Sequence, residues 1–390
     1  MIKFQSCILV INSGSATIKF KIFDFKNLKS VGQGIFEKIG LKDSFLKISG
    51  LNKRLIFKKF PKGIKTHQQA LELIFENLDG FKNRIKIVGH RVVHGGTEFT
   101  KPTIVSKNVL KALARYNELA PLHNPVNLVC LKACQKLLPQ LKNVAVFDTA
   151  FYNTLPVYTS TYALPLNYLK KFKIRKYGFH GISHQYVSER AAKILKKKNL
   201  RMVTCHLGSG VSITATKFGK AIDTSMGFTP LEGLMMGTRC GDLDPAVPLY
   251  LQKKLKISPV AAEKILNKKS GILGVFGYSS DVRDILLAAG YKIPGYRPLK
   301  KFNQSEIARA KLALAMFIYR IVKYIGSYAA ALTGLDAVVF TAGIGERSQI
   351  IRNLITKEIK KIFPKVKVLI IPTDEELIIA KECKKLVMKL

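Results

Sequence analysis

Three short turns rich in glycine and serine each follow an apolar stretch: residues 12–17 in "LVINSGSATIKF", 206–210 in "RMVTCHLGSGVSITATKF" and 341–346 in "LDAVVFTAGIGE". Backbone N–H groups in such turns can face phosphate oxygens closely, because glycine puts no side chain in the way. None matches the Walker or Rossmann patterns, and taken singly such a turn is more commonly just a turn. A second set of residues could do chemistry at strand and loop ends: His90 and Arg91 in "GHRVVHGG", His123 in "LAPLHNP", Asp148 in "FDTAF", His180 in "YGFHGISH" and Arg239 in "MGTRCGDLDP". One such residue reads as packing or a surface ion pair. Five such sites in glycine-rich, apolar settings read as a ligand-binding edge, because α/β proteins bind ligands at strand ends.

The elements that must position these residues follow from periodicity. Residues 6–12 and 16–24 read as a hairpin, the second strand alternating. A helix follows, capped by Thr66, running through Leu71, Ile74, Phe75 and Leu78 and stopped by Gly80. Next come a strand in "IKIVGHRVV", a helix opened by Asn124 and Pro125, and a strand "NVAVFD" ending at Asp148. Alternating strands and amphipathic helices indicate α/β architecture. The stretch "TLPVYTSTYALPLNYL" is rich in turn residues and lacks periodicity, which places a domain boundary near residue 150. Beyond it, "RMVTCHLGSGVSITATKF" repeats the opening order of apolar strand, small-residue turn and alternating strand, so two similarly built halves are expected without a strict sequence repeat. The closing strand "VKVLIIP" and helix "TDEELIIAKECKKLVMK" could pack on either half.

The totals bound the class. With 390 residues and 47% apolar composition, the chain can bury two or three cores. Six scattered cysteines (7, 130, 134, 205, 240 and 383) form no Cys-x-x-Cys pair and suit a reducing compartment. The start has no convincing signal-peptide core. Arg309, Lys311, Arg320 and Lys323 interrupt the apolar stretch at 307–332, which argues for a buried amphipathic helix rather than a membrane span. A cytoplasmic protein without membrane contact is the expectation. The formal charge of +40 raises a nucleic-acid partner, yet the lysines are spread along the chain with no recognisable module around them; a compositional bias suited to anionic substrates is the preferred reading.

Taken in order, "VINSGSATIKF", "GHRVVHGG", "APLHNP", "VFDTAF", "YGFHGISH", "CHLGSGVSI", "DTSMGFTPLEGLMMGTRCGDLDP", "KKSGILGVFGYSSDVRD", "FTAGIGE" and "PTDEEL" closely resemble the acetate kinase (acetokinase) family, within the acetate and sugar kinase/Hsp70/actin superfamily. The resemblance runs along essentially the whole chain. It implies an α/β fold of two similarly built actin-like (ribonuclease H-like) domains with a cleft between them. Residues 1–150 would form the N-terminal domain, with 373–390 returning to it, and 151–372 the C-terminal nucleotide-binding domain. It further implies reversible, magnesium-dependent transfer of the ATP γ-phosphoryl group to acetate, giving acetyl phosphate and ADP, by a homodimer joined through the second domain. The alternatives are a propionate or butyrate kinase of this fold, or a non-catalytic superfamily ATPase.

By the same resemblance, Arg91 holds the substrate carboxylate and Arg239 stabilises the phosphoryl in flight, since a planar guanidinium can bridge two oxygens. His180 and His123 are hydrogen-bond donors to the transferring group. Asp148 is commonly given a proton-transfer role in the family. A carboxylate substrate is already ionised at pH 7 and needs no base, so orienting an arginine, a histidine or a magnesium-bound water is the easier role. Asn12 and Glu375 are implied as oxygen ligands of magnesium, with manganese as a substitute. Thr373 as N-cap would place Glu376 in a capping box and leave Glu375 for the site. Around ATP or ADP the resemblance puts Lys19, Ser15, Thr17, His206, Leu207, Gly208, Ser209, Gly210, Asp281, Val282, Arg283, Ala342, Gly343, Ile344, Gly345 and Glu346. Gly343 and Gly345 suit a base or ribose lying flat on backbone, and Asp281 a ribose contact. Val93, Leu122, Phe179 and Pro230 match the family's small pocket for the acetate methyl. Four positions depart from the usual pattern: Ser209 and Arg347 stand where asparagine is common, Thr17 where serine is, and Tyr152 where a histidine is.

Overall fold

The structure is a computed structural model that describes residues 6–50, 55–78, 81–121, 123–298 and 300–388. The chain divides into two units, Met1–Asn153 with Asp374–Leu390, and Thr154–Thr373.

The first unit is built on an eight-stranded sheet. Its strands are β1 (Cys7–Gly14), β2 (Thr17–Asp24), β3 (Ser30–Glu37), β4 (Ser44–Ser49), β5 (Ile56–Phe60), β6 (Ile85–Val92), β7 (Thr103–Ile104) and β8 (Lys142–Phe147), in the order β5-β4-β3-β2-β1-β6-β8-β7. The second unit carries β9 (Arg201–Leu207), β10 (Val211–Lys217), β11 (Lys220–Thr224), β12 (Ala337–Thr341) and β13 (Lys367–Ile370), in the order β11-β10-β9-β12-β13. The two sheets share one plan. In each, a central strand (β1 or β9) opens an antiparallel meander on one side and pairs in parallel with a later strand (β6 or β12) on the other, which pairs in parallel with a third. A central strand covered on both faces is apolar on both or carries polar groups with buried partners, which explains the apolar run "CILVI" and the run "MVTCHL", where Thr204 and His206 bond His184 and Ser183; both runs are buried. The neighbouring β2 alternates buried and open positions because only one of its faces is covered along its first half.

In the first unit, helices His67–Glu76 and Asn124–Leu137 bury Leu71, Ile74 and Cys134 against Leu9, Ile11, Phe20 and Phe36 of the sheet. The closing helix Glu375–Val387 packs on β1 and β6. It comes so close that a Cβ on Gly89 of β6 would stand 2.6 Å from Ile379 Cγ2 and 2.7 Å from Cys383 Sγ. Only glycine permits this approach, and the approach fixes where the helix's first residue, Glu375, is presented. In the second unit, helix Gln304–Ala331 is long and apolar enough by composition to cross a membrane. Its buried residues Ala310, Ala313, Leu314, Phe317, Ile321 and Ile325 recur at three- and four-residue intervals and form the face that packs on β9 and β10.

Several expectations are corrected. Helix His67–Glu76 has its Thr66 cap with a full capping box but ends at Asn77; Gly80 lies outside the described residues. The turn-rich stretch after residue 153 contains helices Val157–Ser160 and Leu166–Phe172, too short to show a period. Residues 342–347 form a short helix rather than an open glycine turn. Thr373 does not cap the closing helix. Asp374 does, its Oδ1 accepting from Leu377 N at 3.1 Å while its Oδ2 pairs with Lys21 at 2.7 Å. A carboxylate at the N-cap satisfies an orphan N–H and also meets the helix dipole, so it outcompetes a hydroxyl one residue earlier. The Thr373 hydroxyl is left buried without a hydrogen bond. Asp374→Ala should therefore lower the thermal midpoint, by the equivalent of about 0.5–2 kcal/mol, and Thr373→Val by less; a larger loss in Thr373→Val would restore Thr373 as the cap.

Candidate functional site

The first unit gathers a charged cluster at the ends of β1, β6 and β8. The β1–β2 hairpin closes through Ser15 and Ala16, with Asn12 opposite Lys19. Its tip is tied down from two sides: His67 Nε2 bonds Gly14 O at 2.8 Å, and Asn127 Nδ2 donates to Ser13 O and Oγ, both at 3.0 Å. The Asn127 Oδ1 also accepts from Val93 N at 3.1 Å, and Asn124 Oδ1 from His94 N at 3.0 Å. One helix start thus holds the hairpin and the exit of β6 together.

Arg91, the penultimate residue of β6, is gripped by Asp148, the first residue after β8. Arg91 Nε donates to Oδ1 at 3.1 Å and Nη2 to Oδ2 at 2.7 Å, while Nη1 donates to Asn12 Oδ1 at 3.3 Å and Nε lies 3.5 Å from Glu375 Oε2. Burial alone would lower the guanidinium's pKa; Asp148 and then Glu375 more than offset this and hold it above its ordinary value. Burial pushes the Glu375 carboxyl up, Arg91 opposes the shift, and Asp148 and Glu376 add to it. Glu376 accepts weakly from Asn12 Nδ2 at 3.5 Å. His90, beside Arg91 in sequence, is on the other face of the strand. It is buried against Asn143 Oδ1 at 2.7 Å, and burial lowers it to about 4, so it is a neutral packing residue. Val93 is buried, His123 takes the N-cap position of helix Asn124–Leu137, and Leu122 lies outside the described residues. Ser15 and Lys19 are exposed on the hairpin, and Thr17 is half-buried.

The second unit presents the turn 208–210 between β9 and β10, closed by Gly208 N to Gly210 O at 3.1 Å, with Ser209 exposed at its apex. A Cβ on Gly210 would stand 3.1 Å from His180 Nε2 and 3.6 Å from Arg239 Nη1, so this turn, His180 and Arg239 share one corner. His180 has a left-handed backbone (φ 56°) at the start of helix Gly181–Ile194, and its ring stacks on His206 at 4.2 Å between centroids. His206 in turn meets Ser183 Oγ at 2.9 Å. Beneath them His184 bridges Thr204 and Ser212 at 2.7 and 3.0 Å, held neutral first by burial and then by His206. Arg239 donates to Pro230 O at 3.2 Å. Burial lowers its pKa, and no carboxylate among the described residues contributes to it. It is a partly desolvated cation whose charge no described carboxylate offsets. Phe179 is buried and Leu207 is buried at the end of β9.

A cavity of about 610 Å³ opens beside this corner, lined by Gly208, Ser209, Asp281, Val282, Arg283 and Gly343, among others. The volume suits a nucleotide. Some expected contacts take other roles. Asp281 caps helix Val282–Ala288 and has both carboxylate oxygens on Arg283, so a ribose contact would have to compete with these bonds. Gly345 is buried against Cys205 O and Leu207, a packing position, while Gly343 faces the cavity. Glu346 Oε1 accepts from Ala342 N at 2.8 Å and Thr373 N at 3.1 Å, closing the turn after β12 where Ala342 has a left-handed backbone. Ile344 lines the cavity, as does Arg347, one of the departures from the family pattern, and so do residues the sequence reading missed, among them Lys292, Pro294 and Gln349. Asn124, Asn127 and His184 were also missed as positioning residues; the spacing of four between His180 and His184 was the available signal.

Two units of one topology, each offering a Gly/Ser turn after its central strand and one carrying a nucleotide-sized cavity, define an α/β protein of the actin-like class. The chain belongs to the acetokinase family, whose sequence profile matches residues 7–363. It is similar to the acetate kinase of Thermotoga maritima at 46% identity, over 98% of this chain and 99% of that protein. Among solved structures it is similar to Porphyromonas gingivalis acetate kinase, with a TM-score of 0.84 and 39% identity over 98% and 100% of the two chains. A propionate kinase from Francisella tularensis matches with a TM-score of 0.87 and 37% identity over 97% and 99%.

The grip of Asp148 on Arg91 sets a test. In Asp148→Asn, kcat/KM for the carboxylate substrate should fall on the order of 10²- to 10³-fold, within the 2–5 kcal/mol lost when one partner of a buried charge pair is removed. The KM for nucleotide should move little. Activity near wild type would show that Arg91 does not depend on this pair.

Proposed function

We propose that the protein is an acetate kinase, catalysing reversible transfer of the γ-phosphoryl group of ATP to acetate to give acetyl phosphate and ADP. The observation that carries this is the donor count on Arg91. A guanidinium has five N–H donors; Asp148 takes two and Asn12 one, which leaves one on each terminal nitrogen. That remaining fork is the shape that binds a second carboxylate in bidentate fashion. Asp148 orients the fork, and no base is required because acetate is already an anion.

Arg239 supplies positive charge to the phosphoryl as charge spreads over its oxygens, and His180 donates a hydrogen bond to it. The turn at Ser209 and the adjoining cavity hold the nucleotide. Asn12 and Glu375 fit a magnesium ion, because Asp148, Glu375 and Glu376 outnumber Arg91 and Lys19 around the Glu375 carboxylate and all offer hard oxygen donors. Bound there, the ion would neutralise charge on the phosphate oxygens. Exposed Leu249, Tyr250 and Val260 on helices Ala246–Leu255 and Pro259–Lys268 support a homodimer through the second unit. Free cysteines throughout support a cytoplasmic setting.

Steady-state kinetics with hydroxamate trapping of acyl phosphate, using acetate, propionate and butyrate, tests the reading. Acetate should have the highest kcat/KM, and Val93→Ala should move the propionate-to-acetate ratio upward by roughly 5- to 150-fold, the worth of one methylene. No acyl phosphate from any acid, or propionate ahead of acetate in the wild type, would overturn it.

A further inference from the structure

The cavity in the second unit is lined by two kinds of group. Gly208 and Ser209, beside Gly210, His180 and Arg239, suit phosphates. Arg283, Lys292, Pro294, Ile344, Arg347 and Gln349 line it as well. There Arg283 lies over the Tyr296 ring at 4.2 Å with Asp281 chelating it, which gives a fixed, planar wall. Arg347 Nε donates to Gly343 O at 3.3 Å, and its Nη2 rests 3.1 Å from where a Gly343 Cβ would stand. The guanidinium therefore lies along the open face of Gly343, with both terminal nitrogens left as donors and no carboxylate among the described residues paired to it.

We propose that Arg347 selects a 6-oxopurine base, so that GTP and ITP serve as phosphoryl donors at least as well as ATP; this rests on the nucleotide reading of the cavity given above. A guanidinium only donates. Guanine and hypoxanthine present two acceptors, O6 and N7, on the edge that arginine reads in pairs, whereas adenine presents the N6 donor beside N7. Arginine against adenine sets N–H against N–H. Asp281, the one carboxylate among the described lining residues, could accept from an adenine amine but has both oxygens on Arg283. The Gln349 amide can present either a donor or an acceptor, so it fits both bases and discriminates neither.

The test measures kcat/KM with ATP, GTP and ITP at saturating acetate, and ADP, GDP and IDP binding by calorimetry, for wild type, Arg347→Asn and Gln349→Ala. GTP and ITP should equal or exceed ATP in the wild type. Arg347→Asn should move the GTP-to-ATP ratio toward ATP by roughly 5- to 150-fold, in turnover and in diphosphate affinity alike, while Gln349→Ala should affect both bases equally. ATP well ahead of GTP in the wild type, an unmoved ratio in Arg347→Asn, or a shift confined to Gln349→Ala would overturn the proposal. If no acyl phosphate forms with any nucleotide, the acetate reading fails, and the diphosphate affinities still decide the base preference.

Discussion

A guanidinium withdrawn from water is costly unless something fixed compensates it, and in the first unit that something is Asp148. Their meeting is a consequence of sheet register. Arg91 stands opposite Val146 in the parallel pair β6–β8, and Asp148 follows two residues later, just past the end of β8. The pair orients Arg91, Arg91 draws Asn12 and Glu375 toward it, and the cluster keeps more carboxylate than cation. Removing any one of these groups would leave another charged and buried. Arg239 is handled differently. No carboxylate among the described residues compensates it, and in the loop bearing it the Asp242 carboxylate is engaged elsewhere, accepting from Gly233 N at 2.7 Å and from the Tyr324 hydroxyl at 2.5 Å. One arginine is paired and aimed; the other has no paired carboxylate among the described residues and in the proposed reading receives an anion. Two anionic reactants call for this division.

The same strand plan appears twice because it solves the same problem twice. A central strand buried on both faces can end in a turn of small residues, whose backbone N–H groups then stand at the rim of the sheet. In β1 that turn is clamped by Asn127 and His67; in β9 it leads into Gly208–Ser209–Gly210, with His206 locked by Ser183 just before it.

Much of this was legible in the residues. The apolar runs of β1, β9 and β12 and the alternation of β2 are direct records of burial, and Arg91, Asp148 and His180 stand at strand or helix ends as their settings suggested, whereas Arg239 lies within the loop between β11 and helix Ala246–Leu255. Other features were not legible, for physical reasons. Strands β3 to β5 are partly exposed, contain Gly32 and Gly34 or lysines, and gain their order from pairing rather than from pattern. Whether Asp374 or Thr373 caps the last helix turns on Lys21, more than 350 positions away. Glu346 and Asp281 look like ligand contacts in a motif, and only the fold shows that their carboxylates are engaged locally. Asn127 carries no signal of its own, since its three partners lie on β1 and just after β6.

The central claim is that Arg91 acts as a planar fork, aimed by Asp148, for a carboxylate. Acetyl phosphate formation by Arg91→Ala in the presence of added guanidinium ion tests it most directly. The account predicts recovery that saturates with guanidinium and is not given by ammonium at equal concentration and ionic strength. Equal recovery by both ions, or none by either in a variant that remains folded and binds nucleotide, would contradict it.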